Sequence, residues 1–235
     1  FDGETRWSRL FRGSNEEATQ CTVVAFHPLQ EGMVLLGTRG GLFLSADFGR
    51  RWTPANLPRA ARRVVHAAFH PDDPAWLYVL TDERLFIGNL TTGAWQERFD
   101  VLLGADDANP APSDTTDAIE ADTETDGVAH RLTAVAIDPG APQCIYLAGT
   151  RGVVVSLDGG TRWQRLTRAG LQSPVISRLL PYRHSPLVVY AATTEGVARS
   201  SQEPNRWEVV TQGLSRTQAY ELVQRPALEA WRNGQ

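Results

Sequence analysis

The sequence predicts an all-β chain, a β-propeller of four-stranded antiparallel blades, on three observations. A short motif recurs: Ala25-Phe26-His27-Pro28 returns as Ala68-Phe69-His70-Pro71 and, degraded, as Ala136-Ile137-Asp138-Pro139. A second motif, Gly37-Thr38-Arg39-Gly40, returns as Gly149-Thr150-Arg151-Gly152, with looser versions at Leu80-Thr81-Asp82-Glu83 and Ala192-Thr193-Thr194-Glu195. Tryptophans keep the same period: Trp7, Trp52, Trp95, Trp163 and Trp207 stand 45, 43, 68 and 44 residues apart. A repeat of about 40–45 residues holding four short strands is the pattern of a propeller blade.

Taken in order, Glu4 to Phe11, with Trp7, reads as an isolated outermost strand of a blade. The first full unit follows: Thr22 to Phe26, Met33 to Gly37, Gly41 to Ser45, and a fourth strand starting near Trp52. Each run is short, rich in Val, Leu, Ile, Phe or Thr, and bounded by Gly, Pro, Asp or Asn, as strands are. Three further units repeat this plan, with weaker motif copies around Pro181 and Pro226. After the last unit, Ala219 to Val223 reads as an isolated first strand, and Ala227 to Trp231 as one turn of helix. Four full repeats thus lie between two partial blades, as in a piece of a larger ring of six to eight blades. Residues 1–235 are expected to form one propeller domain, interrupted at 104–129.

The long tryptophan interval contains that interruption, a segment with Asp106, Asp107, Asp114, Asp117, Glu120 and Asp122 among its eight carboxylates and no basic residue. It is poor in large apolar side chains and reads as an acidic, flexible loop. The whole chain is −4, so the remainder is net positive. All 23 basic residues are arginines, with local density at Arg59, Arg62 and Arg63. These acidic and basic groups are the candidate partner-contacting residues. The acidic spacing matches no EF-hand loop.

Composition bounds the class. With 42% hydrophobic and 21% charged residues, the 235-residue chain is that of an ordinary globular protein. No apolar run approaches the roughly 20 residues of a membrane helix. The chain starts at Phe1 rather than Met, as a processed or trimmed chain would. Its two cysteines, Cys21 and Cys144, fall on strands of different units and read as small buried hydrophobes rather than a disulfide.

Two segments carry a more specific pattern, S-x-D-x-G-x-x-W: Ser45, Asp47, Gly49 and Trp52, then Ser156, Asp158, Gly160 and Trp163. It suits a hairpin between a blade's third and fourth strands. The carboxylate accepts nearby backbone N–H groups, the glycine supplies positive φ, and the indole spreads apolar area between neighbouring sheets. Two further units keep the tryptophan and lose the box; Leu90 and Gln202 stand where Asp would be, so looser turns are expected.

These boxes resemble those of the Asp-box (bacterial neuraminidase repeat) propeller superfamily, over nearly the whole chain except the insertion. That superfamily includes sialidases, sortilin-like receptors, xyloglucan-cleaving glycosidases, and photosystem II assembly and stability factors. The resemblance implies that the box is a structural turn away from any active site. It also implies a bacterial protein of the periplasm or exterior.

Catalytic chemistry finds little support. His27 and His70 occupy equivalent repeat positions, as turn-forming side chains would. His66 and His70, four residues apart on one strand, would stand about 13 Å apart, too far to share a metal ion. No H-E-x-x-H, C-x-x-C, G-x-S-x-G or Walker pattern occurs. Tyr78, Tyr146 and Tyr190 recur with the repeat, which favours packing over nucleophilic chemistry. No catalytic, cofactor-binding or metal-ligating residue is therefore assigned. The net charge and core-positioned aromatics disfavour nucleic acid. The expected function is a non-catalytic interaction module with protein partners. On the resemblance it would assist a larger complex, of membrane or photosystem type. The alternatives are a secreted carbohydrate-active enzyme or glycan-binding module, and a sortilin-like receptor ectodomain.

Overall fold

The computed structural model describes residues 8–100, 130–171, 175–182, 188–201 and 206–210. Among them are four four-stranded antiparallel sheets, each in simple sequential order. The first contains β1 (Cys21–Phe26), β2 (Val34–Thr38), β3 (Gly41–Ser45) and β4 (Thr53–Pro54). The second contains β5 (His66–Phe69), β6 (Trp76–Leu80), β7 (Arg84–Asn89) and β8 (Ala94–Asp100). The third contains β9 (Leu132–Ile137), β10 (Ile145–Gly149), β11 (Gly152–Ser156) and β12 (Gln164–Arg165). The fourth contains β13 (Ile176–Pro181), β14 (Val189–Thr193), β15 (Gly196–Ser201) and β16 (Arg206–Val210). This is the expected propeller architecture. Trp7 and the acidic candidates Asp106, Asp107, Asp114, Asp117, Glu120 and Asp122 lie outside the described residues.

The sheets stack face to face like blades around an axis. First strands neighbour one another in order, β1 beside β5, β5 beside β9, and β9 beside β13. Each gap is filled by an apolar cluster. Leu35, Leu42, Phe69, Val79 and Phe86 close the first. Tyr78, Leu85, Val135 and Leu147 lie in the second. Tyr146, Val155, Ile176 and Trp207 lie in the third. The inner strands are the most apolar; β2 of the first sheet and β10 of the third are buried at every residue.

The repeat position shows what a neighbouring blade contributes. Ala67 and Phe69 on β5 pack against the first blade at 2% and 8% exposure. Their counterparts on β1, Val24 and Phe26, are 63% and 69% exposed. Among the described residues, Phe11 covers the outer part of that face, its ring tilted against Phe43 and edge-on to Trp52.

The tryptophans bridge adjacent blades. The Trp52 indole N–H donates to the Leu10 carbonyl at 3.0 Å, Trp163 to Arg98 at 2.9 Å, and Trp207 to Thr167 at 2.8 Å. Arg98 and Thr167 belong to the outer strand region one blade earlier, and Leu10 lies in the segment that precedes the first blade. Trp95 differs: its ring lies against Gly88, where any Cβ would collide with it.

Three details depart from expectation. Cys21 is exposed rather than buried, because β1 has no inner strand packed over that side among the described residues; Cys144 is buried, and both thiols are free. A four-residue helix α1 (Glu16–Thr19) precedes β1, capped by the Asn15 carboxamide accepting the Ala18 N–H at 2.8 Å. The outer strands β4 and β12 are only two residues long and begin after the tryptophan, which is spent on the interblade contact. Among the described residues, no helix is long and apolar enough to cross a membrane.

Candidate functional site

Antiparallel order sends two kinds of loop to each end of the blades. One end carries the turns between first and second strands and those between third and fourth. It is a framework of local hydrogen bonds. His27 Nδ1 accepts the N–H groups of Leu29 and Gln30 at 3.0 and 2.9 Å. His70 Nδ1 accepts those of Asp72 and Asp73, and Asp138 accepts that of Gly140. The repeated histidine is thus a turn cap, which an aspartate replaces in the third blade.

The S-x-D-x-G-x-x-W turns lie at the same end and match bond for bond. Ser45 Oγ donates to Asp47 and accepts the Gly49 N–H at 2.8 Å, while Asp47 Oδ1 accepts the Arg51 N–H at 2.8 Å. Ser156, Asp158, Gly160 and Arg162 repeat these contacts. Gly49 and Gly160 adopt φ of 85° and 88°, which a Cβ would disfavour. The N–H bonds from Arg51 and Arg162, chiefly, hold the Asp47 and Asp158 carboxyls below the usual range. Both carboxylates are therefore spent on their own turns. In the second blade, Asn89 Oδ1 accepts the N–H groups of Thr91 and Thr92 at 2.9 and 3.0 Å. The box pattern, with Leu90 at its aspartate position, does not mark this cap; the Asn-Leu-Thr-Thr-Gly run is its signal in the sequence.

The opposite end is built on a different kind of turn. Its hairpins join second to third strands and rest on buried threonines. Thr38 Oγ1 donates to Gly41 O at 3.0 Å and Thr193 Oγ1 to Gly196 O at 2.9 Å, each also accepting an N–H inside its turn. Thr81 does the same in the second blade. The tips they hold bear Arg39, then Asp82 and Glu83, then Arg151, then Glu195, so charge alternates in sign from blade to blade. The connections between blades emerge at this end too. The candidates Arg59, Arg62 and Arg63 sit there, all exposed, on and after a short 3-10 turn at Arg59–Ala61. Asp100, where β8 ends, and His130, just before β9, lie at this end as well.

Two hollows open at this end. One, of about 220 Å³, runs beneath the Arg39 hairpin between Gly41, Pro54, Asn56 and Arg62. The other, of about 40 Å³, has Phe99, Leu132, Leu147 and Val154 around it, with Arg131, Arg151 and Arg165 beside them. Ligand pockets usually span about 300–1,000 Å³, so neither suits an enclosed small molecule.

Nearer the axis, side chains of first strands reach the free inner edges of their neighbours. Thr22 Oγ1 donates to Val64 O at 3.0 Å and Thr133 Oγ1 to Ile176 O at 2.6 Å. His66 Nδ1 accepts the Val135 N–H at 3.4 Å. Burial, with Arg178 nearby, pulls the His66 imidazole down to about 4. It is neutral at pH 7 and already holds a backbone proton donor. Tyr78 is pushed up to about 12 by burial and stacks on His70, and Tyr146 is fully buried. Among the described residues, no three His, Cys, Asp or Glu side chains converge to hold a metal ion.

No family model matches the chain, and no curated protein does. Solved structures do. An ancestral GH74 enzyme superposes with a TM-score of 0.60 and 18% identity, over 88% of this chain and 26% of that one. The GH74 xyloglucanase from Xanthomonas campestris gives 0.58 and 18%, over 82% and 31%. The extracellular domain of a protein described as a one-component system from B. thetaiotaomicron gives 0.55 and 12%, over 83% and 23%. Identities this low establish the propeller fold alone. The chain spans about a quarter to a third of the length of these structures.

Proposed function

We propose that the chain is a non-catalytic propeller module that docks a protein through the arginine-bearing end of its blades. The observation that carries this reading is the division of labour between the two ends. At one end the histidine, serine, aspartate and asparagine caps are spent on their own turns, with exposed Arg50 and Arg51 beside them. The other presents exposed Arg39, Arg59, Arg62, Arg63 and Arg131 around shallow hollows. Loops on a rigid scaffold are the usual seat of recognition, and arginine is enriched where proteins meet. The S-x-D-x-G-x-x-W turns, read as structural, belong to the scaffold. The acidic segment at 104–129, whose described flanks Asp100 and His130 lie at the docking end, serves as a second contacting arm. Extracellular domains among the structural neighbours support placement outside the cytoplasm. The finer role, bracing a larger membrane complex of photosystem type, rests on the Asp-box resemblance alone.

The test is capture of a cross-linked partner from the source organism by wild-type protein and by R39E/R62E and R50E variants. Loss with R39E/R62E and retention with R50E, at the opposite end, supports the reading. Equal capture by all three refutes it.

A second reading, a glycoside hydrolase, draws on the GH74 enzymes among the neighbours and on the carboxylates Asp82, Glu83 and Glu195 at the docking end. Release of reducing sugar from xyloglucan, abolished by E195Q or D82N, would establish it in place of the first.

A further inference from the structure

We infer that the hollow beside β9 to β12 is a recognition site for an acidic peptide segment carrying an apolar side chain. This deepens the docking reading above and rests on it. The hollow lies where the second blade meets the third, with Phe99 of β8 on one side and Leu132, Leu147 and Val154 of the third blade on the other. Arginines stand on three sides: Arg131 where β9 begins, Arg151 at the hairpin tip, and Arg165 on β12. A fourth, Arg168, lays its stem within 3.3 Å of the space a Cβ on Gly152 would fill. Thr150 fixes the first of these in place: its N–H donates to Arg131 O at 2.9 Å, and its Oγ1 accepts the Arg131 N–H at 3.2 Å.

Three of these four arginines, Arg131, Arg151 and Arg168, have no ion-pair partner among the described residues, where ion pairs join Arg84 to Glu97 and Asp100, and Arg199 to Glu208. His130 at the rim is held below its ordinary range, by desolvation first and then by Arg151 and Arg165. Gathered guanidinium groups create a positive potential that steers an anionic partner, and their planar forks engage carboxylates in pairs of hydrogen bonds.

The apolar floor selects among anions. A cavity of about 40 Å³ exceeds one water, which needs about 10–15 Å³, and falls well short of a sugar ring. It suits the end of one aliphatic side chain. A nucleic-acid backbone or a sulfated glycan would satisfy the arginines and leave this floor empty. An acidic peptide with a leucine or similar residue satisfies both.

The probe is a short fluorescein-labelled peptide of aspartate and glutamate with a central leucine, followed by fluorescence polarisation at low salt. Wild-type protein is expected to bind it. R131E/R151E should weaken binding at least about tenfold, and serine in place of leucine about tenfold, each near 1.4 kcal/mol. R50E, at the other end of the blades, should bind as wild type does. Equal binding by R131E/R151E, or equal binding of the serine peptide, overturns the inference. So does a wild-type protein that binds nothing until residues 104–129 are deleted, since the chain would then supply its own anion. Circular dichroism of each variant separates lost binding from lost fold. If R39E/R62E abolishes partner capture while R131E/R151E does not, docking stands and this site falls.

Discussion

Replacing His66 by asparagine should remove most of the acid sensitivity that this one side chain builds into the fold. His66 sits on β5 with Nδ1 accepting the Val135 N–H of β9, and Arg178 of β13 adds a positive charge nearby. Protonation would put an N–H against an N–H in a buried place beside a cation. The group's pKa therefore falls from 6.5 to about 4 on folding. Between those values the unfolded chain binds more protons than the folded one, so stability rises with pH across the window. Stability is whole above pH 6.5 and is lost progressively as pH falls toward 4. At about 1.36 kcal/mol per pH unit, the penalty reaches about 3 kcal/mol. Asparagine places an acceptor oxygen near the position of Nδ1 and cannot titrate. Urea denaturation at several pH values from 7 to 4, for wild type and H66N, isolates the effect as a difference. His27, also lowered by burial, contributes equally to both proteins. The stability gap between wild type and variant should shift by 2–3 kcal/mol in favour of H66N as pH falls, on the scale of that penalty of about 3 kcal/mol. A gap that stays constant would refute the reasoning, because no buried neutral imidazole would then be facing the Val135 amide.

The other tests concern packing and turns. Trp207→Ala should cost about 3–5 kcal/mol, being 2% exposed and bonded to the preceding blade; Trp52→Ala, partly exposed, should cost less in the same denaturant titration. Phe69→Ser should be severely destabilising, by more than about 3 kcal/mol, whereas Phe26→Ser at the same repeat position should stay within about 0.5 kcal/mol, since its ring is exposed. Ser156→Ala should cost about 1–3 kcal/mol by leaving the buried Gly160 N–H without its acceptor, readable as a lowered melting temperature. Gly88→Ala should cost about 1–3 kcal/mol by displacing the Trp95 ring, with a matching change in tryptophan fluorescence.

Features whose partners lie close along the chain were legible in the sequence. The hairpins, the serine–aspartate turns and the repeated histidine caps close hydrogen bonds across two to four residues, so their side-chain chemistry is written within one motif. Apolar runs between turn residues located every blade, with edges shifted by a residue. The Asn89 cap is equally local but stands outside the S-x-D-x-G-x-x-W pattern, so that motif does not mark it.

The sequence alone thus determined the blade, its repeat and its turns, because backbone hydrogen bonding and hydrophobic alternation act over short separations. The tertiary structure decided which arginines stand together and which face lacks a neighbour. Arg131, Arg151 and Arg165 meet only because antiparallel strands return to one end of one blade. The Val135 amide finds His66 69 residues away only because adjacent inner strands pack side by side. Burial against another blade separates Phe69 from Phe26, two residues that the repeat makes identical.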